Sequence, residues 1–332
     1  MDKVLSVIIA AYNVEAYLEN TLRSCVLEDH QLQEDYEIIV VNDGSRDGTS
    51  DIARKYVEQY PKVFRVIDKT NGGYGSVINE GIKNATGKYF KLLDGDDWYS
   101  TEALAEFIQY LKNCDSDMVL TNYVMVHEGS GKRDVFQCNG IKSCERLPAE
   151  ELLKLTRSLA MHGICYKTEI LQKLPMPITE NCFYTDTEYV IYGAAYVKTI
   201  IYYPIDLYQY RIGREGQSVS VEGLVKHIGD LERVIKDIDS FYDVLQKEEN
   251  RELVNYRIAL TYRVYVTYLL LLPGSKERLQ KIKVFDREIE EKYPDRFRLM
   301  ENKKIRILRS TKYKAYRLCR LYCKWEKNRD ER

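Results

Sequence analysis

The chain has 332 residues, with 50 Lys and Arg against 51 Asp and Glu, for a net charge of −1. That balance excludes a generally basic nucleic-acid binder, and 45% apolar with 30% charged residues excludes wholesale disorder. At roughly 150 residues per domain, the length fits one large domain with an appendage, or two domains.

The first apolar run, residues 4–11, is too short to span a membrane, and Asp2 spoils a basic leader, so it reads as a buried strand. The longest apolar stretch, 264–273, is interrupted by Tyr265, Thr267 and Tyr268 and also falls short of a span. Eight cysteines, at 25, 114, 138, 144, 165, 182, 319 and 323, form no C-x-x-C pair, and with four His they give no zinc pattern. They read as reduced thiols of a cytoplasmic protein. Tyr is abundant, 28 against 8 Phe and 2 Trp, which suits grooves where a ring packs and its hydroxyl stays polar.

Strand and helix signals then alternate. Residues 5–11 predict a strand, 16–27 a helix, 36–41 a strand, 49–60 a helix and 64–68 a strand. A glycine-rich turn, Asn71-Gly72-Gly73-Tyr74-Gly75, opens a helix over 76–84. Strands follow at 89–93 and 118–126, with a helix at 101–112 between them. This order predicts an α/β fold with a mostly parallel sheet covered on both faces. Residues 129–145 read as a loop or hairpin and 150–158 as helical. Residues 200–210 read as a strand in which Pro204 marks an edge or a bend. From about 222 the pattern is helical only, at 224–247, 250–272, 275–292 and 301–327. Two domains are expected, 1–222 and 223–332.

The last predicted helix is strongly basic. Between Lys303 and Arg329 it carries +10, with Glu326 its one acid, so the remainder of the chain is −11. Ile305, Leu308, Ala315, Cys319, Tyr322 and Trp325 fall near one face. A basic amphipathic helix with aromatics suits a membrane surface, and equally a helix packed on its own domain with a solvated basic side.

In an open parallel sheet, ligands bind outside the carboxyl ends of the strands. Those ends here carry Tyr12-Asn13, Asp43-Gly44, Asn71 to Gly75, and Asp94-Gly95-Asp96-Asp97. Three carboxylates within four residues repel unless a positive group sits among them. A divalent cation on a diphosphate would satisfy them, and oxygen ligands favour Mg²⁺ or Mn²⁺. A turn followed by a helix capped by Asp97 or Ser100 would also account for the cluster.

Four segments carry a resemblance: Ser6 to Asn13, Val41-Asn42-Asp43-Gly44-Ser45 through Thr49, Asn71-Gly72-Gly73 through Asn79-Glu80-Gly81, and Asp94-Gly95-Asp96-Asp97-Trp98. Together they resemble the family 2 glycosyltransferases of the GT-A fold, closely over 4–100 and more weakly to about 220. The resemblance implies an inverting transfer of a hexosyl or N-acetylhexosaminyl group from a nucleotide-diphosphate sugar. Tyr12 would lie against the nucleobase and Asp43 would accept a hydrogen bond from it, with Asn71 and the glycine turn beside the donor. Asp94 and Asp96 match the D-x-D pair, Asp94 touching ribose or metal and Asp96 holding the metal. Tyr184-Thr185-Asp186-Thr187-Glu188 resembles a late acidic motif, which gives Asp186 the role of base and Glu188 that of alternative. Arg211 or Arg214 would meet the diphosphate from a mobile loop reaching Ser220, and His162 could line the acceptor pocket or be a satisfied, partly buried histidine. One departure is Ile78, where many relatives carry Arg before the Asn matching Asn79.

These expectations make a cytoplasmic enzyme, peripheral on the inner membrane face, that uses a UDP-sugar to extend a lipid-linked or surface glycan of the cell envelope. Two rivals remain. One is a sugar-nucleotidyltransferase, which would want a glycine-rich basic loop after the first strand. The other is a degenerate domain that only binds a glycan or partner.

Overall fold

The computed structural model describes residues 3–155, 159–213, 221–246 and 250–330, in two compact units, Met1–Glu215 and Gly216–Arg332.

The first unit begins β1 (Leu5–Ala11), α1 (Glu15–Ser24), α2 (His30–Gln33), β2 (Tyr36–Asn42), α3 (Thr49–Gln59), β3 (Phe64–Asp68) and α4 (Gly73–Asn84). It continues with β4 (Tyr89–Asp94), β5 (Trp98–Tyr99), α5 (Thr101–Lys112), β6 (Met118–His127), β7 (Arg133–Phe136) and β8 (Arg146–Pro148). It closes with β9 (Ile164–Lys167), α6 (Thr168–Gln172), α7 (Asp186–Tyr196) and β10 (Thr199–Ile212). The strands form one mixed sheet in the order β3-β2-β1-β4-β9-β6-β10-β5, with β7 on β6 and β8 on β10.

The apolar runs of β1 and β2 are buried throughout because helices cover both faces of the sheet. On one face Val7, Ile9 and Ala11 join a core with Leu18 and Leu22 of α1, Ala53 and Tyr56 of α3, and Leu104, Phe107 and Ile108 of α5. On the other, Gly81 of α4 lies against Ile8, and Gly193 of α7 lies against the ring of Tyr166. Strands β3, β2, β1 and β4 run parallel. The chain leaves β1 toward β2 on one side, and returns as β4 on the other, so the switch point of the sheet lies between β1 and β4. There Ala10 pairs with Asp94.

Three expectations change. Strand β9 was not foreseen: at four residues it is too short to carry a period, yet it enters antiparallel between β4 and β6. Pro204 marks a bend and not an edge. β10 is flanked by β6 on one side and β5 and β8 on the other, and its ladder slips between Tyr202 and Asp206, where proline has no N–H to donate. The segment 149–154 is a short 3₁₀ helix, while 156–158 lie outside the described residues.

The second unit is helical: α8 (Val221–Val244), α9 (Arg251–Leu271), α10 (Lys276–Lys292), α11 (Pro294–Leu299), α12 (Lys303–Ser310) and α13 (Tyr316–Asp330). Its core joins Val234, Ile238 and Phe241 to Val254, Ile258, Ala259 and Tyr262. It also buries Arg296, which pairs with Asp239 at 2.6 Å and lies over the rings of Tyr242 and Tyr293. The single basic helix expected over 301–327 is two helices. Lys312 and Tyr313 take positive φ, and the Tyr313 N–H donates back to the Leu308 carbonyl at 2.7 Å, a close of the kind that ends helices. Lys304 then pairs with Glu326 at 2.6 Å across the resulting hairpin. The single apolar face also divides. Ile305, Leu308, Ala315 and Cys319 are buried, while Leu318, Leu321, Tyr322 and Trp325 form an exposed row at helical spacing.

A Cβ on Gly193 would stand 2.5 Å from the Tyr166 ring. Gly193→Ala should therefore lower stability by about 1–3 kcal/mol, the usual cost of overpacking, read as a fall in the denaturation midpoint with an unchanged slope.

Candidate active site

The acidic cluster starts where β4 ends. The Gly95 N–H donates to the Ala10 carbonyl at 2.9 Å, and a Cβ on Gly95 would lie 2.7 Å from that same oxygen, so the residue between the first two aspartates has no room for a side chain. Asp94 accepts a 2.7 Å hydrogen bond from the Tyr74 phenol, and its own N–H donates to the Tyr208 hydroxyl at 3.2 Å. Asp97 is buried, and it accepts from the Tyr208 hydroxyl at 2.6 Å and from the Arg211 N–H at 2.7 Å. Burial, then the charges of Asp94 and Asp96, push its carboxyl well above the usual range. The helix that follows is capped by Ser100, whose hydroxyl accepts from the Ala103 N–H, so the cap does not need Asp97.

Arg211 lies on β10, not in a loop. Its guanidinium sits 5.0 Å from the Tyr17 ring and 4.8 Å from the Trp98 ring, and its Nε donates to the Asp96 carbonyl at 2.9 Å. Arg214 and Ser220 fall outside the described residues. Tyr12 is 49% exposed at the end of β1.

Asp43 is buried and heavily engaged. It accepts from the Gly72 and Gly73 N–H groups at 2.9 and 2.8 Å and pairs with Lys69 at 2.7 Å, while Asn71 donates its side-chain amide to the Asp43 carbonyl at 2.9 Å. The carboxylate thus sits at the N-terminus of α4, where helix N–H groups favour an anion.

That turn also positions the late acidic motif. Asn79 donates to the Ile178 carbonyl at 2.8 Å and accepts from the Ile178 N–H at 2.9 Å. Gly75 packs so tightly on Thr179 that a Cβ would be 2.0 Å from its carbonyl oxygen. The segment held in this way leads into α7, where Asp186 is the first residue. Burial raises the Asp186 carboxyl, against hydrogen bonds from the helix's first N–H groups. Glu188 is fully buried and accepts from the Thr179 N–H at 2.7 Å.

His162 sits beside the acidic cluster. Its ring stacks on Tyr210 at 4.4 Å and meets the edge of Tyr208 at 4.8 Å. Burial and the nearby Lys91 push it down to about 3, so it is neutral at ordinary pH. Asp94, Asp97 and His162 can each offer one ligand atom within 4.8 Å of the others, and Asp96 is not in that group. Burial, then the charges of Asp97, Asp94, Asp96 and Asp186, raise the Tyr210 phenol.

Sequence reasoning missed Tyr74, Lys91, Tyr208 and Tyr210. Lys91 left a signal, because it is a cation in the middle of a buried strand run. Fully buried, it donates to the carbonyls of His162 and Ile164 at 2.9 and 3.2 Å. The tyrosines left none, since a single Tyr in a strand or turn is ordinary.

The glycosyl transferase family 2 model matches residues 6–171, half of the chain and all four motif segments. The chain belongs to that family. EpsH of Bacillus subtilis is 27% identical over 215 residues, 63% of this chain and 60% of EpsH. The poly(ribitol-phosphate) beta-glucosyltransferase of Bacillus spizizenii is 38% identical over 118 residues, 35% of this chain and 18% of that protein. The chain thus spans less than two thirds of these curated relatives. The crystal structure of S. aureus TarS 1-349 in complex with UDP-GlcNAc superposes with a TM-score of 0.70 at 20% identity, covering 97% of this chain and 92% of that one, which establishes the GT-A fold. No helix among the described residues is long and apolar enough to cross a membrane.

Burial pushes Lys91 from 10.5 down to about 8. Between those values the unfolded chain binds this proton and the folded chain does not, so Lys91 makes stability rise with pH there. Relative to Lys91→Met, the wild type should gain stability between pH 8 and pH 10, with a ceiling of about 1.4 kcal/mol per pH unit. Paired denaturant titrations at the two pH values check the sign.

Proposed function

We propose that this chain transfers one sugar, with inversion, from a UDP-sugar to a hydroxyl of a lipid-linked or surface glycan. The observation that carries the reading is that the turn whose Tyr74 donates to Asp94 at 2.7 Å also packs, through Gly75, on Thr179 in the segment leading to Asp186, although about ninety residues separate the cluster from Asp186. The names of the relatives support it: one acts on a poly(ribitol-phosphate), and TarS was crystallised with UDP-GlcNAc.

In this reading residues 1–100 bind the donor and 101–222 the acceptor. Tyr12 lies against the nucleobase, over a turn that Asp43 and Asn71 hold in shape. Arg211 faces the diphosphate. The donor set of carboxylates with a nearby imidazole fits a divalent cation, Mn²⁺ or Mg²⁺. Asp94, with Asp96 or with Asp97 and His162, would hold it, and its charge would offset that of the departing diphosphate. Asp186 takes the proton of the acceptor hydroxyl as that oxygen bonds the anomeric carbon, and the bond from that carbon to the nucleoside diphosphate breaks on the opposite face. Burial favours this role, because a raised carboxyl holds a proton more readily.

Asp186→Asn keeps the shape and removes the proton acceptor, so transfer should fall by ~10²–10⁴-fold while UDP still binds. Glu188→Gln should instead lower stability, through the Thr179 contact, and leave measurable transfer. Transfer abolished in Glu188→Gln but retained in Asp186→Asn would reverse the assignment.

The chain works at the cytoplasmic face of the membrane, through α13. Leu318, Leu321 and Trp325 are 70%, 64% and 56% exposed, and Lys312, Lys314, Arg317 and Lys324 are exposed near them. Each basic residue near anionic lipid contributes about 1 kcal/mol of attraction, screened by salt. Removing the tail would also strip Ile305, Leu308 and Cys319 from the core of the second unit, so point substitution is the cleaner test. The wild type should co-sediment with phosphatidylglycerol vesicles at low salt and leave them at high salt. The triple variant Leu318→Ser, Leu321→Ser, Trp325→Ser should fold normally and stay in the supernatant.

A further inference from the structure

The D-x-D pattern directs attention to Asp94 and Asp96. The folded chain groups different atoms. Asp94, Asp97 and His162 each bring one ligand atom within 4.8 Å of the others. Ligands on one ion with bonds of about 2.0–2.2 Å lie at most about 4.4 Å apart, so these atoms need to close by only a few tenths of an ångström to share a cation.

Three features make His162 more than a bystander. Its Nδ1 is closed off from solvent, and among the described residues it meets no hydrogen-bond partner. Leaving a buried polar atom in that state costs stability, so its retention needs an occupant or a reason. The ring is also held in place, stacked on Tyr210 at 4.4 Å, tilted on Tyr123 at 5.2 Å and edge-on to Tyr208 at 4.8 Å. Its backbone is pinned as well, because the His162 carbonyl accepts from the buried Lys91 at 2.9 Å. An imidazole held by three rings and a backbone clamp is preoriented, as ligand histidines are.

Asp97 can share in such a site despite its hydrogen bonds. Its Oδ2 accepts one from Tyr208 and its Oδ1 one from Arg211, and each carboxylate oxygen has a second lone pair.

We propose that His162 is a nitrogen ligand to the divalent cation, joining Asp94 and Asp97 in a set of one imidazole and two carboxylates. This rests on the reading above that a divalent cation accompanies the donor. The set has a chemical consequence. Imidazole suits transition metals, whereas Mg²⁺ prefers oxygen alone, so this chain should favour Mn²⁺ over Mg²⁺.

The test uses the full chain with Mn²⁺ and UDP, read by electron spin echo envelope modulation. The wild type should show modulation from ¹⁴N directly bound to manganese. His162→Gln and His162→Asn, each checked for an unchanged melting temperature without metal, should lose it. Both should also weaken Mn²⁺ binding by about tenfold or more while changing Mg²⁺ binding little, measured by calorimetry. Manganese bound without nitrogen coupling in the wild type overturns the proposal and leaves the metal-dependent reading standing. Nitrogen coupling that persists in both variants overturns it too. Failure of Mn²⁺ to bind even with UDP removes the divalent-cation reading, and this proposal with it.

Discussion

Crowding carboxylates at one end of a sheet is the constraint on which the catalytic unit depends. Asp94, Asp96, Asp97 and Asp186 all act on Tyr210, and like charges in a partly dry site repel. The fold meets this with hydrogen-bond donors set among the carboxylates. Tyr74 donates to Asp94, Tyr208 to Asp97, and Arg211 gives its N–H to Asp97 and its Nε to the Asp96 carbonyl. Asp186 stands at the start of a helix, where N–H groups supply positive potential. Burial of Asp97 moves in the opposite direction and holds its carboxyl toward the neutral form.

The second organising element is the glycine-rich turn before α4. Asp43 ties it down through Gly72, Gly73 and Lys69, and Gly75 with Asn79 clasps residues 178 and 179. The glycine-rich turn and the segment leading to Asp186 are therefore one packed structure. The same turn carries Tyr74, whose phenol is raised by burial and by the charges of both Asp94 and Asp186.

The helical unit follows another logic. Arg296 is fully buried, offset by Asp239 at 2.6 Å, by Asn255 at 2.6 Å and by tyrosine faces. Replacing one partner would leave a buried charge uncompensated, so this cluster imposes one packing of α8, α9 and α11. Across the tail hairpin of α12 and α13 the charge is divided: Lys304 and Arg309 of α12 pair with Glu326 and Asp286, while Lys312 and Lys314 in the turn and Arg317 and Lys324 of α13 are exposed.

The sequence by itself determined the alternation of the longer strands and helices from β1 to α5, without the short α2 and β5, the boundaries of β1, β3 and α5, and the acidic and glycine-rich loops at the strand ends. These are local: a run of apolar residues, a capping Ser100, or a turn of Asn, Gly and Asp declares itself within a few positions. Tertiary structure decided the rest. β9 exists because β4 and β6 offer it edges, not because four residues demand a strand. The basic tail is a hairpin because residues 312 and 313 turn left-handed and Lys304 meets Glu326, a pairing 22 positions apart. The resemblance gives Asp43 a hydrogen bond from the nucleobase, and in the fold its carboxylate is held by a turn that follows some 30 residues later. His162, flanked by Met161 and Gly163, reads in sequence as lining an acceptor pocket or as a satisfied, partly buried histidine, and nothing local points it to the acidic cluster. It gains its meaning only because β9 carries it to the end of β4, beside Asp94 and Asp97. Periodicity and capping act within a turn of helix or a length of strand, whereas a site is built by contacts that only the closed sheet supplies.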